Sequence, residues 1–86
     1  KEAEKNELDS IKSALTKKLE TLTPREQEVM GYVVDGVSNK QMAALLGVSD
    51  RTIEVHRSRV MAKMAAHSLP ELVRMSVLLE FDGTAP

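Results

Sequence analysis

Three observations predict an all-α fold for this 86-residue chain. Apolar residues recur at spacings of three and four from Leu8 to Leu22. Two proline-containing capping boxes, Thr23-Pro24-Arg25-Glu26 and Ser68-Leu69-Pro70-Glu71, open apolar runs. Two further helix starts, at Ser38 and Ser49, follow each other closely with Gly47 between them. The architecture expected is all helical, with an amphipathic N-terminal helix followed by four more, two of them short and sharply crossed.

The first helix is predicted over residues 3 to 20. Leu8, Ile11, Leu15, Leu19 and Leu22 form one narrow apolar face among lysines and glutamates. A strict coiled-coil seam would place Lys18 in the core, so a packing or linking helix is favoured over a self-standing coiled coil. The chain begins with Lys1 rather than Met and is read as a fragment. Residues 1–21 are expected to be a helical linker from an absent upstream domain, 22–82 the folded domain and 83–86 a disordered tail.

Thr23 caps the second helix, Pro24 takes its first position and Glu26 closes the box. This helix should end at Asp35-Gly36 and bury Val29, Met30, Val33 and Val34, with Tyr32 nearby. The third and fourth form a pair. Ser38 and Ser49 can each accept a bond from an amide two or three residues on, and Gly47 supplies the left-handed residue that ends the first of the two. Ala43, four before Gly47, is small enough for a close crossing, and Ile53, six after it, can wedge between the helices. That spacing describes a helix-turn-helix. The last helix should run from Ser68-Leu69-Pro70-Glu71 to about Phe81 and stop at Asp82-Gly83. Leu69, Leu72, Val73 and Leu79 suffice to cover the core, which leaves Met75 and Leu78 without an inside partner and suggests a dimer contact.

Composition excludes several functions. With no cysteine, neither disulfides nor a zinc finger can hold the fold. His56 and His67 lack an obvious third ligand, so no metal site is expected, and no cofactor. No apolar run approaches the roughly 20 residues that span a membrane, and nothing resembles a signal peptide, so a cytoplasmic location fits. His56 points inward, where a space-filling, hydrogen-bonded ring is expected. No nucleophile triad or carboxylate pair can be assembled, which argues against an enzyme. Tyr32 and Phe81 are the only aromatics and look buried, so stacking on single-stranded nucleic acid is disfavoured.

Net charge is −1, but it is unevenly spread: residues 37–67 carry five basic and two acidic side chains, while both flanks are net negative. Phosphate binding depends on this local excess rather than on the total. At 100° per residue from Ile53, residues His56, Val60 and Met64 face inward. Arg51, Val55, Ser58 and Ala62 face out, flanked by Glu54 and Arg59. Small and hydrogen-bonding side chains suit a helix that enters a groove about 12 Å wide, where Arg can meet guanine acceptors and Glu the cytosine amino group.

The blocks Leu22-Thr23-Pro24-Arg25-Glu26, Gly36-Val37-Ser38-Asn39-Lys40-Gln41-Met42-Ala43, Val48 to Arg59 (VSDRTIEVHRSR) and Ser68-Leu69-Pro70-Glu71-Leu72-Val73 strongly resemble the LuxR/FixJ-type DNA-binding domain, in order and spacing. The resemblance covers residues 22 to about 80. It implies a four-helix bundle whose third helix, here Asp50 to Met64, enters the major groove and whose last helix pairs protomers on DNA. It implies a transcription regulator, most often a response regulator whose phosphorylated receiver domain controls the DNA-binding part. Glu54, Val55 and Ser58 correspond to positions that face bases, and Lys40, Arg51, Thr52 and Arg57 or Arg59 to positions near phosphates. The helical wheel differs at Arg57, placing it toward the core, so its head must snorkel outward.

The expected partners are double-stranded DNA carrying an inverted repeat and a second copy of the chain, met through Arg74, Met75, Leu78 and Leu79. The charged lead-in and the Thr-x-Glu-x-His-Arg-x-Arg run favour the FixJ branch over the quorum-sensing branch. The competing readings are a protein-interaction module docking a partner such as RNA polymerase through Met75 and Leu78, and a sigma-factor promoter-reading region.

Overall fold

The computed structural model describes the backbone of residues 2–81 and the side chains of residues 7–81. The expected stop at Asp82-Gly83 and the tail at 83–86 lie outside the described residues. Five helices follow one another: α1 Glu2–Glu20, α2 Pro24–Val34, α3 Asn39–Leu46, α4 Asp50–Met64 and α5 Leu69–Leu78. Helix α4 is the hub, packed against α1, α2 and α3, while α5 lies on α2.

Local chemistry sets the helix starts. Thr23 Oγ1 accepts from the Glu26 amide at 3.1 Å, and the Glu26 carboxylate accepts from the Thr23 amide at 2.9 Å. Ser38 and Gln41 repeat this reciprocal arrangement at α3. At α5 only half of the expected box forms. Ser68 Oγ accepts from the Glu71 amide, but the Glu71 carboxylate meets His67 Nδ1 at 3.4 Å instead. A carboxylate in a first turn can serve either its own cap or a neighbouring side chain, and here it lies against the preceding histidine.

Helices α2 to α5 end by one device, a residue in the left-handed region. Helix α2 closes with Gly36 at φ 84°, the Val37 amide donating to Tyr32 O and the Gly36 amide to Val33 O. Helices α4 and α5 close in the same way through residues that are not glycine: Ala65 at φ 56° and Glu80 at φ 54°. Their ladders run from Ala66 N–H to Met61 O and from Phe81 N–H to Ser76 O. Helix α5 therefore ends three residues earlier than periodicity suggests, and Phe81 folds back against the core.

The core unites Leu22, Val29, Met30, Val33, Met42, Ala43, Ile53, Val60, Met64 and Leu72. Fully burying each of the larger side chains contributes about 1.5–3 kcal/mol. Leu15 is buried and Leu19 packs against the core, so the second half of α1 shares in the bundle, whereas Leu8 and Ile11 stay exposed.

Two expectations for α5 need correction. Met75 has an inside partner, since it packs against the core together with Leu79, while Leu69 is exposed rather than covering the core. The side chain of Ser76 is buried because its hydroxyl bonds back to Val73 O at 2.6 Å, so a polar residue sits on the inner face. The apolar residues left facing out are Leu69, half-buried Val73 and Leu78, and Val77, the last 70% exposed.

Candidate nucleic-acid interface

The turn between α3 and α4 is built from three local contacts. Gly47 adopts φ 68°, ψ 35°, and the Val48 amide reaches back to Ala43 O at 3.0 Å. Ser49 Oγ accepts from the Thr52 amide at 3.1 Å and starts α4. Ala43 is buried at the crossing and Ile53 is completely enclosed, which fixes the angle between the two helices by packing as well as by the turn.

With Ile53, Val60 and Met64 buried, the opposite side of α4 is presented outward. The Arg51 side chain is 82% exposed and that of Glu54 is 55% exposed, with a loose 3.8 Å contact between them. Such an exposed pair contributes little to stability and leaves both heads available. Ser58, Arg59 and Ala62 are exposed along the same helix and Val55 is half-buried. Lys40 is exposed in the first turn of α3.

Two of the candidate contact residues are engaged within the protein. The half-buried Thr52 shares a 2.9 Å hydroxyl contact with Ser49. Arg57 Nη1 donates to Asn39 Oδ1 at 2.8 Å, so its head crosses to the first turn of α3. His56 is half-buried, but its Nδ1 is enclosed without a hydrogen-bond partner among the described residues. The expectation of a hydrogen-bonded ring is corrected at that atom: the inner face of α4 is apolar, and no carbonyl or hydroxyl of the described residues bonds to it.

One polar cluster is not apparent from the sequence. Lys63 Nζ donates to Glu26 Oε1 at 2.6 Å and to Thr21 O at 3.2 Å. The Glu26 side chain is only 3% exposed, Lys63 34%. The Glu26 carboxyl is held below its ordinary range, first by the Lys63 hydrogen bond and next by the Thr23 amide. Burial opposes this, and the Lys63 and Arg59 charges assist it. In the sequence, capping alone accounts for Glu26. The only available signal for a second role is that Lys63 lies about 80° from Ile53 at 100° per residue, close to the inward side.

Two short helices held by a left-handed glycine turn, the second buried on one side and open on the other, define a helix-turn-helix module, the class of protein that reads DNA with its second helix. Residues 20–76 match the family described as bacterial regulatory proteins, luxR family, and the chain belongs to that family. Its helix-turn-helix is of the kind found in FixJ-like response regulators. The chain is 45% identical over 98% of its length to the transcriptional regulatory protein FixJ of Azorhizobium caulinodans, of which it covers 38%. It is 55% identical over 70% of its length to FixJ of Rhizobium meliloti, covering 29% of that protein. The crystal structure of full-length FixJ from B. japonicum superposes with a TM-score of 0.78 at 39% identity, covering 87% of this chain and 37% of that one. The chain thus spans less than two-fifths of the length of these relatives.

Proposed function

We propose that this domain binds double-stranded DNA sequence-specifically by placing α4 in the major groove. Glu54, Val55 and Ser58 then meet base edges, and Lys40, Arg51 and Arg59 meet phosphates. The observation that carries this reading is the outward side of α4, where Arg51, Glu54, Ser58 and Arg59 stand exposed while Ile53, Val60 and Met64 are fully enclosed. Thr52 and Arg57 join the phosphate contacts only by exchanging their internal bonds for bonds to DNA.

Two copies pair through the outer side of α5, around Leu69, Val73, Arg74, Val77 and Leu78, and set their α4 helices about 34–36 Å apart on an inverted repeat. Met75 and Leu79 back this surface from the core. One copy makes few phosphate contacts and binds weakly. A phosphorylated receiver domain elsewhere in the full protein raises occupancy by promoting the pair, through effective concentration. Likeness to a relative named response regulator protein TodT, of Pseudomonas putida, supports the response-regulator setting, and in the cytoplasm both DNA and RNA polymerase are within reach.

The test is selection of bound sequences from a random duplex pool, followed by a salt titration on the selected site. An enriched motif with two inverted halves and an affinity that falls steeply with salt are expected. Binding that ignores salt, or a pool that never enriches, would leave only the protein-interaction reading, in which the α5 surface docks a partner such as polymerase.

A further inference from the structure

We infer that Glu26 and Lys63 form a positioning latch that keys the recognition helix α4 to the α1–α2 junction, and that the discrimination of DNA sequences depends on it. The inference rests on the DNA reading above and concerns residues outside the face that reading uses.

Lys63 occupies the last turn of α4 and makes two bonds to elements remote in sequence. One goes to Glu26 in the first turn of α2, at 2.6 Å, and the other to the carbonyl of Thr21, just past the end of α1, at 3.2 Å. Both acceptors are themselves held. Glu26 Oε1 also accepts from the Thr23 amide at 2.9 Å, which fixes it to the α2 cap. The backbone around Thr21 is closed by Thr21 N–H to Lys18 O and Leu22 N–H to Leu19 O, both 3.0 Å, and anchored by buried Leu22. One ammonium group therefore ties the ends of three helices together. The apolar contacts of Ile53, Val60 and Met64 allow α4 some rolling and sliding, because dispersion and burial have no direction. A short charge-assisted bond to a buried carboxylate has direction, and it removes that freedom at the end of α4 farthest from the turn.

The latch also gives α1 a route to α4. A displacement of the α1 end carries the Thr21 carbonyl with it, and Lys63 must follow or lose a bond. Base readout needs side chains held to within about half an ångström, so a small roll of α4 weakens discrimination before it weakens phosphate contact.

Glu26→Gln tests this. The amide keeps an acceptor for the Thr23 cap and the same size, but it loses the charge that holds Lys63. Because Glu26 is buried, it cannot touch DNA, and deleting a negative charge should by electrostatics alone raise affinity for every sequence. Affinities for the selected site and for random duplex, with salt slopes, are measured on wild type and variant. The expected result is an about tenfold fall in the preference for the selected site, the size of one weakened base contact, with binding to random duplex undiminished and the salt slope unchanged. Lys63→Arg, which can still reach both acceptors, should retain the preference. An unchanged preference in Glu26→Gln overturns the latch. A wild type without sequence preference overturns the DNA reading itself, so the two failures are distinguishable. Should Glu26→Gln melt below the assay temperature, the double variant Glu26→Gln/Lys63→Met, which leaves no unpaired charge, takes its place: a lowered preference supports the latch and an unchanged one overturns it.

Discussion

Arg57 and Asn39, eighteen residues apart, are joined by a 2.8 Å bond from the guanidinium to the amide oxygen, which clasps the middle of α4 to the start of α3. The family resemblance assigns Arg57 to DNA, and the helical wheel turns it toward the core. The clasp is compatible with both, because the residue is half-buried and its head is held at the first turn of α3, within the helix-turn-helix. Asn39→Ala removes the acceptor and should cost about 1 kcal/mol in denaturant unfolding. If Arg57 also reaches phosphate once freed, DNA affinity in this variant should not fall, and a fall would tie Arg57 to a purely structural role.

Arg51 and Glu54 should behave differently on DNA although they are neighbours. Arg51→Ala is expected to weaken binding to all sequences and to reduce the magnitude of the salt slope by about one. Glu54→Ala should change which base is preferred at one position of each half-site while leaving the slope unreduced. Repeating the pool selection with each variant measures both; identical motifs from wild type and Glu54→Ala would remove Glu54 from readout.

Val77 offers a cleaner test of pairing than Leu78, because it is 70% exposed while Leu78 is half-buried. Val77→Glu should shift melting stability by no more than about 0.5 kcal/mol and should abolish simultaneous protection of two half-sites in footprinting. An undiminished double footprint would place the dimer contact elsewhere.

Ala65 holds φ 56° at the end of α4, a conformation that costs an L-residue about 1–2 kcal/mol. Ala65→Gly relieves this at the expense of greater freedom in the unfolded chain, so a net gain of up to about 1 kcal/mol is expected. Thermal melting should show a rise of several degrees, on the order of 4–8 °C per kcal/mol for a domain of this size.

Acid should unfold the domain partly through Glu26. Its carboxyl titrates lower in the folded protein than in the unfolded chain, so its stabilising effect is complete above the unfolded value, near 4.5, and is lost as pH falls through the lower folded value. Chemical unfolding of wild type should therefore weaken progressively below about pH 5, and the Glu26→Gln profile should be flatter in that window. Parallel profiles would show that Glu26 gains nothing from its partners.

The helix starts at Thr23, Ser38 and Ser49 and the turns at Gly36 and Gly47 were legible because each is decided within four or five residues, by a hydroxyl facing an amide or by a residue free of a Cβ. The turns at Ala65 and Glu80 were not, since neither residue favours the left-handed region; packing of the segments that follow imposes it. The outward side of α4 followed from the position of Ile53 and a fixed angle per residue. Which acceptor Arg57 would choose did not.

From the order of its residues alone, this chain determines five helices, the sharp bend between α3 and α4, and the side of α4 that faces away from the bundle, because hydrogen bonding over one turn and the period of the α-helix are local. Tertiary structure decided the rest: that Ser76 and Met75 turn inward and Leu69 and Val77 outward on α5, and that Lys63 finds Glu26 across thirty-seven residues. Those outcomes depend on which helix surfaces meet, and the competition between burial and solvation at a surface is settled only when the neighbouring helix is in place.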